Sequence, residues 1–262
     1  MILRRILGHL ERQHWTALGL DLVIVVLGVF IGMQVSNWNQ QRIENQQAVI
    51  FTRNLIADLR EEHWGYQLLI AYNGEVLKHA EMAAKALEGT ATLADEAFLV
   101  SAYRATQYKQ RLRRRSTYDE LISTGNIGLI RDQMLRETAM RLYNSPTIEN
   151  LVREGMQSRY REAFRMSLPN DVQRALSRNC GDRYIRTGDL AAIRGNLDYP
   201  CETGLSPEQI AESAASLRSN PTLLPLLRLR IADIDTRLFA LTSNNRAILE
   251  NLNAIGAGEG QP

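Results

Sequence analysis

The chain has 262 residues with 31 Lys and Arg against 29 Asp and Glu, 45% hydrophobic residues and 2 cysteines. A net charge of +2 gives no reason to expect nucleic acid as a partner. The length leaves room for a sizeable domain with its own core beyond any membrane segment.

Residues 1–14 are basic, with Arg4, Arg5 and Arg12, and precede an apolar run over 15–38, WTALGLDLVIVVLGVFIGMQVSNW. About 20 residues of helix cross a ~30 Å hydrocarbon core, so the run reads as a single transmembrane anchor. Trp15 and Trp38 at its ends fit interfacial aromatic belts. The apolar stretch is too long for a signal-peptide core and no small-residue cleavage site follows, so an uncleaved anchor is expected. Arginines concentrate before the span, which puts residues 1–14 in the cytoplasm and the bulk of the chain in the periplasm of a bacterium, with the anchor in the inner membrane.

Gly28 and Gly32 form a GxxxG pair that lets a second helix approach closely. At 100° per residue, Asp21 falls on the same face, within roughly 40° of the glycines. Asp21, Gly28 and Gly32 are therefore the candidate transmembrane interface, for a homo-oligomer or a membrane-protein partner. An acid in a span reads either as interfacial, reaching water near the headgroups, or as proton-linked or partner-pairing.

Residues 39–255 form the expected periplasmic domain, and 256–262 a flexible tail. Beyond Trp38 no breaker interrupts the helical pattern, so the anchor is expected to continue as one helix to about Glu88. A 3,4 spacing runs through Ile56, Leu59, His63, Tyr66, Ile70, Asn73, Leu77, Ala80, Ala84 and Leu87. Thr92 with Asp95 starts a helix expected to run through FLVSAYRATQYKQRL into the basic run, and Thr117 with Glu120 makes a capping box for TYDELIS, ended by Gly125. Further helices are expected over about 129–144, 145–167 and 170–177, and again from Ser206, Pro207 and Gln209. No strand pattern occurs, so the domain reads as all-α.

Cys180 and Cys201 bound the loop CGDRYIRTGDLAAIRGNLDYPC, and an oxidising compartment permits a disulfide between them. From between Pro221 and Pro225 a final 3,4 repeat runs through Leu227, Ile231, Ile234, Leu238, Leu241, Asn245, Ile248, Leu252 and Ile255. Its helix has the length to lie antiparallel against the first long helix in a bundle, the alternative being an intermolecular coiled coil.

The densest charge is Lys109, Arg111, Arg113, Arg114 and Arg115. It reads as a solvated helix end, with cations at the C-terminal dipole, or as a patch for anionic lipid or an acidic partner. His9, His14, His63 and His79 stand at no metal-ligand spacing, and His63 reads as a hydrogen-bonded core residue. Carboxylates adjacent in sequence, Glu61 with Glu62 and Asp95 with Glu96, diverge on a helix. No catalytic or nucleotide-binding motif occurs. No enzyme activity, cofactor or metal is therefore expected.

The anchor WTALGLDLVIVVLGVFIGMQVSNWN, with Trp15, Asp21, Gly28, Gly32, Gln34, Asn37, Trp38 and Asn39 in place, resembles an uncharacterised bacterial membrane-anchored family. The segment TYDELISTGNIGLIRD also looks like that family. The resemblance implies a membrane-anchored helical protein and supplies no activity. The functional expectation is a periplasmic helical interaction or scaffold subunit of an envelope complex. Alternatives are a ligand-sensing helical module working through a membrane partner, and a proton-linked motor-type subunit using Asp21, since GLDLVIVVLGVF is similar to such spans.

Overall fold

The computed structural model describes residues 15–258 and, among them, helices and turns with no strand. The chain divides into two compact units, Met1–Thr52 and Arg53–Pro262. Helix α1 (Trp15–Leu87) enters both.

In the first unit α1 is the helix that the described residues form. The side chains described between Gly19 and Ile50 are exposed apart from Ala48. The segment from Leu22 is long and apolar enough to cross a membrane, and none of that stretch is covered by the rest of the chain. Such exposure costs free energy in water, roughly 25 cal/mol for each Å² of apolar surface left uncovered, and costs nothing in hydrocarbon.

In the second unit the remainder of α1 is the central element. Leu59, His63, Tyr66, Asn73, Ala80 and Ala84 of the expected seam are buried, while Ile56, Ile70, Leu77 and Leu87 are half-buried. A second row at heptad spacing, Leu55, Glu62, Leu69, Val76 and Ala83, is fully buried. The helix is thus covered on a wider arc than one seam provides, as befits a helix surrounded by others.

Around it stand α2 (Asp95–Ala105), α3 (Ser116–Ser123), α4 (Gln133–Asn144), α5 (Thr147–Met156), α6 (Arg159–Met166), α7 (Asn170–Cys180), α8 (Pro207–Ser219), α9 (Leu223–Phe239) and α10 (Arg246–Ala257). The larger core joins the end of α1 to α2, α6, α7, α8 and α9 through Ala80, Phe98, Leu99, Tyr160, Phe164, Leu176, Leu217 and Leu227. The last helices return antiparallel to α1. Arg228 meets Glu88 at 2.8 Å, Ile234 packs with Tyr72 and Val76, and Asn253 accepts from Gln67 at 2.8 Å and pairs with His63 at 3.0 Å.

Several elements differ from the sequence pattern. The helix expected to run into the basic residues stops at Ala105, and α2 begins at Asp95 with Ala94 as an N-cap that makes no side-chain bond, so Thr92 caps nothing. Nor does Thr117 form a capping box. The N–H of Thr117 donates instead to Asp58 Oδ2 at 3.3 Å, so α1 caps α3 from a distance. The helix over 129–144 starts only at Gln133, capped by Asp132, after a 3₁₀ turn at Asn126–Leu129. The helix over 145–167 is two, because Ser158 leaves the helix and its side chain accepts from Arg161 N. The helix over 170–177 continues to Cys180. The final repeat is interrupted by a π-helical turn, Ala240–Asn244, before α10, which reaches Ala257 and so takes in the start of the expected tail. Two local signals hold: the Ser206 and Gln209 capping box is formed in both directions, and Gly125 has φ of 71°, the left-handed conformation that ends a helix.

Candidate functional site

The expected sites fall in three places. In the anchor, Gly28 and Gly32 lie on α1 with no atom within 4 Å of a Cβ built at either position. The Asp21 side chain and residues 1–14 lie outside the described residues. The sulfur atoms of Cys180 and Cys201 stand at bonding distance, with Cα atoms 5.4 Å apart.

The basic run is the densest polar site of the second unit, and its geometry differs from either expectation. Residues 107–115 form no helix but a strap laid against α1. Its Lys109 reaches Asp182 of the cysteine loop at 2.8 Å. Arg111 and Arg113 converge on Glu62 at 2.6 and 3.2 Å, and Arg113 also reaches Glu149 at 2.8 Å. Arg114 turns to Glu61 at 2.7 Å while its own N–H donates to Glu62 at 2.8 Å, and Arg115 closes on Asp119 at 2.9 Å. The side chains of Arg111 and Arg113 are only 10% and 9% exposed, against 0% for Glu62. They are internal groups, so the reading as a lipid or partner patch is corrected for these two. The helix-end reading is corrected for the whole run, since no helix ends there. The strap still leaves Arg114 and Arg115 partly open, each already holding a carboxylate.

Two details explain why the strap lies where it does. A methyl group at Gly65 would overlap the Arg111 guanidinium, so the glycine makes the slot that guanidinium occupies. Tyr143 stacks on Tyr118 with ring centroids 4.8 Å apart, lies 5.3 Å below the Arg113 guanidinium, and donates its hydroxyl to Arg114 O. Adjacent carboxylates do diverge: Glu61 and Glu62 take different arginines, while Asp95 binds Arg218 at 2.7 Å and Glu96 accepts from Thr203. Those two bonds, side chain first and backbone second, hold the Glu96 carboxyl below its ordinary range.

The cysteine loop is anchored by a further buried arginine. Arg104 donates to Cys180 O at 3.3 Å and Tyr199 O at 2.9 Å, touching both ends of the loop, and stacks 4.6 Å from the Tyr199 ring. Its Nη1 lies 3.2 Å from Nε2 of the buried His79. Burial, and then the Arg104 charge, push His79 down to about 4. His79 is therefore neutral near pH 7 and can accept from Arg104. Trp64 Nε1–H donates to Asp189 O at 3.1 Å and Tyr72 OH to Asp182 at 2.7 Å, which lash the loop to α1.

Glu62, Arg104 and Asp182 were missed as site residues. One signal existed for Glu62: it occupies an apolar place in the heptad row Leu55, Leu69, Val76 and Ala83. Among the described residues no group of three or more His, Cys, Asp or Glu could hold a metal ion. The class of protein this defines is an all-α domain laced by arginine pairs, on a helix able to span a bilayer. Comparison with protein-family models, curated proteins and solved structures finds no match.

Proposed function

We propose that the chain is a single-pass inner-membrane protein, N-terminus in the cytoplasm and helical domain in the periplasm, that serves as an interaction or scaffold subunit of an envelope complex. One observation carries the reading: Leu22, Val25, Val29 and Val35 are 66, 63, 59 and 58% exposed, in a stretch of α1 whose described side chains lie bare. Lipid, and a second helix against the open Gly28 and Gly32 face, supply the missing cover. Asp21 shares that face by helical periodicity. The cysteine pair suits the oxidising side of the membrane, as the arginines before the span suit the other.

Mild-detergent purification of the full chain, alongside Gly28→Leu and Asp21→Asn, tests this. A stoichiometric partner or self-association that is lost in Gly28→Leu supports the reading, and a monomer with nothing attached sinks it. A partner retained in Asp21→Asn, with loss of the cellular phenotype, would favour the proton-linked alternative. An alkaline phosphatase fusion at the C-terminus is expected to be active, and an inactive one overturns the orientation.

A further inference from the structure

Most arginines of the strap and of α9 hold carboxylates, as Arg111, Arg113, Arg114, Arg115, Arg228 and Arg237 do. A groove between α6 and α7 breaks that habit. It encloses about 330 Å³ and is lined by Arg161, Arg165 and Arg174 with Asn170, Gln173 and Ser177, and no carboxylate is among its lining residues. Its apolar lining is Phe164, fully buried, and Tyr103. Arg161 is preset: it donates to Thr106 O at 3.1 Å and stacks 5.1 Å from the Tyr108 ring, neither of which neutralises its charge. The walls are braced as well, because Gln173 Nε2 donates to Arg165 O at 2.7 Å and Leu168 O at 2.8 Å, tying α7 to the end of α6. The guanidiniums of Arg165 and Arg174 are exposed and pair with no carboxylate among the described residues.

Like charges brought to one groove repel, and a glutamate at an exposed lining position such as Asn170 or Ser177 would relieve the repulsion. Guanidinium groups bind phosphate through paired N–H donors, and several around one anion add both charge and geometry. We propose that this groove binds the phosphate group of a small molecule or of a lipid headgroup, with Arg161 fixed in advance and Arg165 and Arg174 closing on the remaining oxygens. Phe164 and Tyr103, both buried, form the apolar floor of the groove. The proposal does not depend on the membrane reading, since the groove lies wholly within the second unit.

The test is calorimetric titration of the detergent-purified full chain with inorganic phosphate and with glycerol 3-phosphate, and flotation with phosphatidylglycerol vesicles against phosphatidylcholine vesicles. The Arg165→Gln and Arg174→Gln double variant removes two exposed side chains and is expected to keep its helical signal and melting temperature. Phosphate affinity is expected to fall at least roughly tenfold in it, as for the loss of charge-assisted bonds, while Arg159→Gln, outside the groove, leaves affinity unchanged. Affinity for the soluble phosphates identifies a small-molecule ligand; enrichment on phosphatidylglycerol alone, lost in the double variant, identifies the headgroup. No affinity for any of the three, or equal affinity in the double variant, overturns the proposal.

Discussion

Replacing Glu62 by Gln tests whether the strap is held by charge. The carboxylate is fully buried and takes Arg111, Arg113 and the N–H of Arg114. The amide keeps the volume and one acceptor but removes the charge. Arg113 retains Glu149 at 2.8 Å, whereas Arg111 is left with Leu112 O at 3.2 Å as its one hydrogen bond, in a slot that water barely reaches. Removing one partner of a buried pair costs about 3–5 kcal/mol, and the retained acceptor places Glu62→Gln near about 3 kcal/mol. For a unit of this size that corresponds to a fall of about 6–12 °C in melting temperature. Far-UV circular dichroism of the full chain in mild detergent, by heat and by urea, measures it. A control separates charge from packing: Glu62→Leu combined with Arg111→Met removes the carboxylate together with the guanidinium it would strand, and is expected to be more stable than Glu62→Leu alone. Glu62→Gln within about 1 kcal/mol of wild type would refute the argument, because the strap would then owe its place to the Tyr143 and backbone contacts.

Gly65→Ala is expected to destabilise the same unit by about 1–3 kcal/mol although alanine is the better helix former, because the methyl evicts Arg111; a stabilised variant in urea titration would show that the guanidinium relocates at no cost. His79, pushed from its ordinary 6.5 down to about 4 by burial and Arg104, binds protons less readily folded than unfolded. Its contribution is therefore complete above about pH 6.5 and is lost as pH falls towards 4, approaching about 3 kcal/mol, and His79→Gln is expected to flatten the urea midpoint between pH 7 and pH 5. An unchanged slope would place the protonation sensitivity elsewhere. If the bond between Cys180 and Cys201 forms in the cell's oxidising compartment, closing a loop with a sequence separation of 21, reduction is expected to cost about 3 kcal/mol in the chain-entropy account, read as a drop in urea midpoint with dithiothreitol that Cys180→Ser does not show.

Legibility in the sequence followed the distance over which each feature is decided. The Ser206 and Gln209 box and the Gly125 terminus are settled within four residues, and they stand as the residues suggested. The antiparallel return was readable too, since two long 3,4 repeats have few ways to hide their apolar stripes. What escaped is decided by partners far along the chain. The helical pattern of FLVSAYRATQYKQRL is real, but Thr106 Oγ1 donates to Tyr103 O at 2.6 Å at the end of α2, and the following residues are drawn out by carboxylates some 50 positions upstream. The start of α3 depends on Asp58 in the same way. The break before Ser158 lies beside Gly155, where a side chain would overlap Tyr108 of the strap. A charge run therefore read as surface because nothing local distinguishes a guanidinium facing water from one facing Glu62.

The polar residues of α1 then acquire a common role. A buried row of Leu55, Leu69, Val76 and Ala83 alone would accept neighbouring helices at several axial offsets, each burying similar apolar area. Glu62 accepts only where the strap presents two guanidiniums, His63 donates only where Asn253 presents its amide oxygen, and His79 accepts only beside Arg104. Each costs desolvation that an apolar residue would not, and each makes the displaced arrangement costlier still by leaving a buried group unpaired. They act on three separate partners: the strap, the last helix, and the helix that holds the cysteine loop. An offset of α1 against any one of the three would therefore strand at least one buried polar group. The same rigidity bears on the phosphate groove, whose Arg161 is set by Thr106 and Tyr108 at the strap's near end. By holding the strap against α1, Glu62 thereby also bears on the seat of Tyr108, the ring over which the preset Arg161 lies.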